Sequence, residues 1–286
     1  MAKNESNNRS VEKMSVKKVL MYVILVLWAL VNLFPVYWMF TFSFKSNEEI
    51  FGKNLIGLPW EWRWHNYTSA WNTGNMPRYF INSVIVSVSA IALVIIASMM
   101  ATYAITRLKW VGAKQMNAFF MLGLTIPIHA SIVPVFITLR DLGILNSHAS
   151  LIFPYAAFSL SMGILICTGF MVEIPKELDE AARIDGCGVW KTFGVVILPL
   201  MKPALATISI YSFLQCWNEL MFANVFISKS EYKTLPVGIQ ALSGQYTTEW
   251  GPIGAALVIA TFPMLIVYVF MSGKIQESFV VGAVKG

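Results

Sequence analysis

Charged residues are scarce in this chain. Only 13% of its 286 residues are Asp, Glu, Lys or Arg, whereas 57% are hydrophobic. Because soluble globular domains carry about 25% charged residues, this composition excludes an ordinary water-soluble fold. The chain is also poor in cysteine: Cys167, Cys187 and Cys216 lack the spacing of a metal site or of a disulfide framework.

Two further absences concern chemistry. The acids and the three histidines never share an apolar pocket on the topology derived below, so we expect no catalytic triad and no enzyme. The phosphate-binding pattern G-x-x-x-x-G-K-[ST] is missing, since neither Gly52-Lys53 nor Gly273-Lys274 has the earlier glycine. We therefore predict that this chain binds no cofactor or metal and that any nucleotide chemistry belongs to another protein.

The net charge of +6 does not indicate nucleic acid as a partner. Binding to nucleic acid needs a basic soluble face, and the sequence offers none. The lysines instead fit contact with anionic lipid at one surface of a membrane.

Long apolar runs are abundant. A helix needs about 20 apolar residues to cross the hydrocarbon core of a bilayer, and a bare backbone finds no hydrogen-bond partner in lipid, so such runs should be helices. The runs lie near residues 19–42, 81–105, 117–139, 149–172, 203–227 and 252–272. We predict an all-α polytopic membrane protein with six spans, in which Pro127, Pro134 and Pro154 kink their helices.

The basic residues predict the orientation of these spans. An amino terminus on the inside places 14 of the 21 lysines and arginines in inner segments. Both termini and the segment 173–199 are then cytoplasmic. Residues 1–17 are polar and rich in Asn, Ser and Lys, so we expect a disordered tail followed by one membrane domain over 18–286.

The segment 173–199 is charged although it lies between two apolar runs. Pro175 fits the first turn of a helix, and Asp179 and Arg183 have the spacing of an i,i+4 ion pair. Near-helical spacing predicts one narrow apolar face, made of Ile174, Leu178, Ala181 and Ala182. Asp185-Gly186 then indicates a turn, because glycine tolerates the left-handed conformation that ends helices.

Two interpretations of this helix are open. It could lie passively on lipid headgroups, or it could dock to another protein. Helices that lie on lipid show bulky apolar faces and lysine-rich polar faces, whereas this face is narrow and rich in alanine. The pattern favours docking, with the alanine pair allowing close approach and the flanking charges fixing the register.

Several motifs resemble the maltose-type sugar permeases, which are membrane subunits of ABC importers. The strongest is the run Glu180-Ala181-Ala182 with Asp185-Gly186 and Ile197-Leu198-Pro199, similar to the "EAA" loop of that family. Trp217-Asn218-Glu219 resembles its fifth-span signature, and Gly282–Gly286 its carboxy-terminal tail. Cys187 departs from the alanine that is usual after Asp-Gly, and Ser278–Val281 departs from the usual stretch before the tail.

The resemblance implies a function and partners. It implies an importer for a sugar or oligosaccharide in the cell (inner) membrane, built from this chain, a homologous second permease, two ATP-binding subunits and an external solute-binding protein. ATP is then bound by the partner subunits. The residues implied to couple to the ATPases lie on one cytoplasmic helix and its turn: Leu178, Glu180, Ala181, Ala182, Asp185 and Gly186.

Glu219 is the only carboxylate in a predicted span, and acids inside membranes mostly serve function. It could line the pathway or the outer mouth, or it could be a structural acid; Trp217 and Asn218 share these alternatives. A second reading of the whole chain is an ion-coupled carrier that uses Glu219 as a proton site. Such carriers show repeats and paired ionisable groups, and one carboxylate is weak support.

The first outer loop is rich in aromatic residues, namely Trp60, Trp62, Trp64, Tyr67 and Trp71. They could stack on a sugar ring, but an aromatic belt at headgroup depth needs no ligand and is the favoured interpretation.

Overall fold

The computed structural model describes residues 16–72, 74–243 and 248–283, the last twelve of them by backbone alone. Residues 1–15 of the predicted tail and most of the carboxy-terminal motif therefore lie outside the described residues. Within the described ranges the chain is helical and contains no strand. The α-helices are α1 (Val16–Phe42), α2 (Asn47–Phe51), α3 (His65–Asn72), α4 (Met76–Arg107), α5 (Ala113–Leu122), α6 (Ile132–Asp141), α7 (Ala149–Glu173), α8 (Glu177–Ile184), α9 (Val189–Lys191), α10 (Leu198–Leu200), α11 (Lys202–Asn218), α12 (Met221–Phe226), α13 (Leu235–Ala241) and α14 (Trp250–Ala283).

Four of these helices are long and apolar enough to cross a membrane unaided: α1, α4, α7 and α14. Two further spans are possible if each of two bent helix pairs counts as one. The first pair, Ala113–Thr125 with Ile128–Asp141, bends by 94°, and the second, Val189–Leu200 with Lys202–Asn218, by 74°. The described part of the chain thus has between four and six apolar spans.

The third predicted span, 117–139, is broken where the sequence predicts a kink at Pro127. Its helix stops at Thr125, and Ile126 is extended, with φ −76° and ψ 120°. The reason is Pro127, which disfavours helical geometry in the residue before it and donates no hydrogen bond of its own. Pro154, by contrast, lies within the continuous helix α7.

The fifth predicted span, 203–227, is also shorter than expected. Helix α11 ends at Asn218, because Glu219 takes an extended conformation with φ −73° and ψ 122°. A separate short helix, α12, follows. At the other end of α11, the helical stretch through α9 and α10 contains a π-helical segment, Thr192–Ile197, and ends at Leu200, one residue after Pro199.

The centre of the fold is formed by α4 and α7, which pack along each other, with α11 against both. Small residues allow the close contact. A Cβ atom added to Gly163 of α7 would lie 2.3 Å from Ser98 Oγ of α4, far inside van der Waals distance. Small residues at such contacts let helices approach closely in lipid.

The bundle has two ends of different character. At the loop end, side-chain hydrogen bonds link Asn47 of α2 to Thr248, Asn66 of α3 to the carbonyls of Ser43 and Lys45, Asn146 to Ser228, and Tyr79 to Ser230. The amide of Asn82, for example, donates to the carbonyls of Glu231 and Lys233, each at 2.9 Å. The opposite end, the α8 end, carries α8 and the stretch from α9 to α10. The functional candidates lie at the α8 end and in a cleft beside Glu219.

Three of the aromatic residues that follow α1 surround Phe44 at the loop end. The ring centroids of Trp62, Trp64 and Tyr67 lie 4.9, 4.9 and 5.0 Å from that of Phe44. Trp60, Trp64 and Trp71 keep large exposed areas. The cluster thus has a packing role of its own, in line with the interpretation that needs no ligand.

Candidate functional sites

Helix α8 is held to the bundle by Arg107, the last residue of α4. Its Nη1 donates to Asp179 Oδ2 at 2.9 Å, and its Nη2 donates to the carbonyls of Met171 and Ile174 at 2.5 and 2.7 Å. Carbonyls at the end of a helix lack partners within it, so a cation placed there is favourable. One guanidinium therefore binds α4, the end of α7 and α8 together.

The ion pair is almost fully buried, with side-chain exposures of 4% for Arg107 and 11% for Asp179. The i,i+4 spacing predicted Arg183 as the partner of Asp179, and this is wrong. Asp179 points into the protein because Arg107 supplies a stronger partner, bound at the same time to backbone carbonyls.

The two alanines of α8 point in different directions. Ala182 is buried, with 6% exposure, and packs against this chain. Ala181 is exposed together with Glu177, Glu180 and Ile184, the last at 86%. The predicted common face of Ala181 and Ala182 is therefore divided: Ala182 seats α8 on the bundle, and Ala181 lies on the free surface, with Leu178 at 39% exposure.

The turn after α8 has the expected geometry. Gly186 adopts φ +78°, which favours glycine. The amide of Asp185 donates to the Ala181 carbonyl at 3.0 Å, and the amide of Cys187 to the Ala182 carbonyl at 2.8 Å, so the last carbonyls of α8 are satisfied. The chain then returns to the bundle, where the rings of Phe193 and Tyr103 lie 5.1 Å apart.

A second candidate site surrounds Glu219. Its carboxylate accepts three hydrogen bonds: from the Tyr155 hydroxyl at 2.6 Å, from the Phe222 amide at 2.9 Å and from the Ala223 amide at 3.2 Å. The two amides belong to the first turn of α12, which has no partners for them within the helix. Glu219 thus holds α12 and α7 in place.

Beside this carboxylate is a cleft of about 470 Å³, including its part open to solvent. It lies between the break after Thr125 and the end of α11, so both interrupted helices border it. Its described lining is Ile128, His129, Tyr155, Phe158, Ser159, Tyr211, Gln215, Cys216, Glu219 and Phe222.

Only Glu219 of the three residues in the fifth-span motif lines this cleft. Trp217 is buried, with its ring 5.6 Å from that of Phe80 and 5.3 Å from that of Phe213, and its Nε1 donates to the Ala260 carbonyl at 3.0 Å. Asn218 is exposed and bonds to the Leu214 carbonyl of its own helix. Trp217 therefore has a packing role between helices.

Sequence reasoning missed Arg107 and the aromatic lining of the cleft. A basic residue at the last position of a long apolar helix is a usable signal, because it marks a cation beside helix carbonyls. For Tyr155, Phe158 and Tyr211 no signal was available, since each is one aromatic residue among many in an apolar run.

The fold and these sites define a multi-pass helical membrane protein with an exposed helix held at one end. Its sequence matches, over residues 93–279, the family described as binding-protein-dependent transport system inner membrane component. The diacetylchitobiose uptake system permease protein NgcG of Streptomyces coelicolor is 34% identical over 259 residues, covering 90% of this chain and 85% of that protein. The trehalose/maltose transport system permease protein MalG of Thermococcus litoralis is 33% identical over 274 residues, covering 94% and 98%.

The fold has a solved counterpart. A chain of a bacterial ABC transporter involved in the import of the acidic polysaccharide alginate superimposes with a TM-score of 0.80 at 22% identity, over 90% of this chain and 96% of that one. The chain belongs to the binding-protein-dependent transport system inner membrane component family. It is therefore an ABC importer permease and not an enzyme, as the resemblance implied. The comparisons give no support to an ion-coupled carrier built on Glu219.

Proposed function

We propose that this chain forms half of the translocation pathway for a sugar or oligosaccharide delivered by an external solute-binding protein. The support for the substrate class is that similar permeases are named for diacetylchitobiose and for trehalose and maltose. The other half of the pathway is a homologous permease subunit, and two ATP-binding subunits supply the energy. A related alginate transporter has been solved with its substrate-bound periplasmic protein, an assembly of the proposed kind.

In this proposal the chain crosses the cell (inner) membrane six times, with each bent helix pair as one span and both termini in the cytoplasm. The charge pattern supports that orientation. The basic residues at or near the α8 end of α4 and α7 include Arg107, Lys109, Lys114, Lys176, Arg183 and Lys191. A cluster of lysines and arginines beside span ends is typical of the cytoplasmic face.

Helix α8 is the proposed contact with the ATPases. The observation that carries this proposal is the Arg107 clamp: α8 is exposed on one side and bound to α4 and α7 on the other. A force applied to its free surface at Glu180 and Ala181 reaches two spans at once. Leu178 borders that surface, Ala182 seats the helix, and Asp185 and Gly186 set the turn that leads to the next span.

A crosslinking experiment tests this contact. Because Cys187 lies next to α8, the three native cysteines are first replaced by alanine, and Ala181→Cys is introduced. A short crosslinker with one thiol-reactive end and one photoreactive end is expected to join this position to an ATP-hydrolysing subunit in intact membranes. Leu142→Cys is the matched control, since Leu142 is 65% exposed but lies at the loop end. Equal capture at both positions, or capture at neither, contradicts the proposed contact.

Transport itself is tested with the purified importer in proteoliposomes, with the solute-binding protein outside and ATP inside. We expect uptake of a sugar that requires ATP and does not change when a proton ionophore is added. Uptake that follows the proton gradient without ATP would overturn the proposed function.

A further inference from the structure

We propose that the cleft beside Glu219 is a subsite for an uncharged sugar ring on this subunit, an inference that rests on the proposed transport of a sugar. Small-molecule sites are concave and mostly apolar, with a few well-placed polar groups. This cleft has that composition: four aromatic rings, from Tyr155, Phe158, Tyr211 and Phe222, beside the polar groups of Ser159, Gln215 and Glu219.

The inner wall of the cleft is rigid. Tyr155 and the amides of Phe222 and Ala223 hold the Glu219 carboxylate from three directions. The ring of Phe222 lies 5.3 Å from that of Phe158 and 5.2 Å from that of Phe226, so it is packed on two sides. Side chains held in this way lose little conformational entropy when a ligand binds, and this favours affinity.

The open side of the cleft carries groups suited to sugar hydroxyls. Tyr211 and Gln215 are one turn apart on α11, and Gln215 Nε2 donates to the Tyr211 hydroxyl at 3.3 Å. An aromatic ring can lie against the C–H face of a sugar ring, while the amide and the hydroxyl bond to its rim. Gln215 is exposed and Tyr211 is partly exposed, so both can meet a solute from the open side.

The position of the cleft also fits a pathway. Two helices are interrupted at its border, one after Thr125 and one after Asn218. In membrane transporters, irregular backbone at membrane depth occurs where it lines a cavity or is covered by protein, and interrupted helices commonly flank the binding site. The side open to solvent leaves room for the second permease to complete the site.

The charge of the cleft selects the kind of sugar. Its described lining contains one carboxylate, the imidazole of His129 and no lysine or arginine, and the partners of Glu219 are neutral donors. A carboxylated or sulfonated sugar would place a second negative charge near Glu219 without a lysine or arginine to offset it, and the two negative charges would repel each other. The cleft therefore fits neutral sugars and disfavours acidic ones.

The test uses the complete importer in proteoliposomes with its solute-binding protein. Radiolabelled maltose, trehalose and diacetylchitobiose are the neutral probes, and an alginate disaccharide is the acidic one. The two quantities measured are solute taken up per ATP hydrolysed and the stimulation of ATP hydrolysis by the loaded binding protein. Stimulation reports an intact, assembled complex, whereas uptake per ATP reports retention of the solute in the pathway.

Tyr211→Leu and Gln215→Ala are each expected to lower uptake per ATP at least fivefold, with stimulated ATP hydrolysis within twofold of wild type. Tyr211→Phe keeps the ring and loses the hydroxyl, so its loss should be smaller than that of Tyr211→Leu. Leu214→Ala is the control, because Leu214 is exposed on the same helix and does not line the cleft.

Three results overturn the inference, and they differ from one another. Wild-type uptake per ATP in both Tyr211→Leu and Gln215→Ala shows that the cleft holds no solute, while the proposed function stands. Uptake of the acidic probe in preference to every neutral one removes the charge argument and with it the subsite for a neutral ring. A wild-type importer that takes up no sugar with ATP overturns the proposed function and the subsite together.

Discussion

Arg107 and Asp179 are 72 positions apart in the sequence, yet their side chains form a buried ion pair with a nitrogen–oxygen distance of 2.9 Å. The same guanidinium also bonds to two carbonyls at the end of α7. Because all three elements meet at one side chain, α8 cannot shift without pulling on α4 or α7. The pair thus joins the exposed helix to two of the long apolar helices.

Removing one partner of this pair should destabilise the protein strongly. Arg107→Ala or Asp179→Ala leaves the other charge buried without its partner, and such changes cost about 3–5 kcal/mol. We expect a lower unfolding temperature in detergent and uptake reduced at least tenfold. The double variant Arg107→Met with Asp179→Leu removes both charges and should recover part of the lost stability. Single variants that unfold at the wild-type temperature would contradict the role given to the pair.

The turn after α8 should depend on glycine at one position and not at its neighbour. Gly186 has φ +78°, and a side chain in that conformation costs about 1–2 kcal/mol. Gly186→Ala should lower the free energy of unfolding by about that amount, whereas Gly186→Asn should be milder, because asparagine visits the left-handed region more readily. Gly188→Ala is the control, since Gly188 has φ −71° and open space around its Cβ position. Chemical denaturation in detergent measures the difference, and equal effects at both glycines would reject the argument.

Close packing of α4 on α7 should make Gly163 sensitive to a single methyl group. In Gly163→Ala the new Cβ meets Ser98 Oγ at 2.3 Å and Val94 Cγ1 at 3.2 Å, so the helices must move apart. Overpacking of this kind costs about 1–3 kcal/mol. Gly169→Ala on the same helix has no atom within 4 Å of the new Cβ and should be neutral or stabilising. Thermal unfolding of the two variants side by side decides between steric crowding and a general intolerance of alanine in α7.

Acidification should weaken the loop end through His148. Burial lowers the pKa of this imidazole from its ordinary value of 6.5. Its Nε2 lies 2.9 Å from Asn82 Oδ1, and because the Asn82 amide nitrogen already donates to two carbonyls, Nε2 must be the donor. The unfolded chain takes up a proton at higher pH than the folded protein, so the free energy of unfolding falls as pH drops below about 6.5 and levels off below the folded pKa.

His148→Gln removes the titrating group and keeps a donor, so the decline with acidification should become shallower in this variant. Unfolding temperatures of both proteins between pH 8 and pH 5 provide the comparison. Parallel curves would show that other groups account for the loss.

Hydropathy and charge made most of the architecture predictable, because the hydrocarbon core requires long apolar helices and the loops carry the charge. Local chemistry also fixed the turn at Gly186. The Arg107–Asp179 pair was out of reach, since spacing rules see only neighbours on one helix and favoured Arg183 as the partner of Asp179. Only the tertiary structure brings the end of α4 to α8.

The fifth-span motif shows a second limit of sequence reasoning. Trp217, Asn218 and Glu219 are consecutive and were grouped as one site. In the structure one is packed in the interior, one is exposed and one lines the cleft, because the backbone leaves helical geometry at Glu219. A periodic sequence pattern predicts that the helix continues through Glu219. In the structure α11 ends there, and the Glu219 carboxylate accepts hydrogen bonds from the first amides of α12.

Helix α1 packs against α14, yet the structure buries none of its most apolar 18-residue stretch. The described residues of this chain therefore supply almost no neighbours that could distinguish one apolar side chain of α1 from another. Any selectivity for the order of residues along 20–33 that these residues do not supply comes from lipid or from another subunit. Scrambling that stretch would thus test contacts of the permease with its surroundings. The Gly163→Ala variant of α7, by contrast, tests packing within the permease itself.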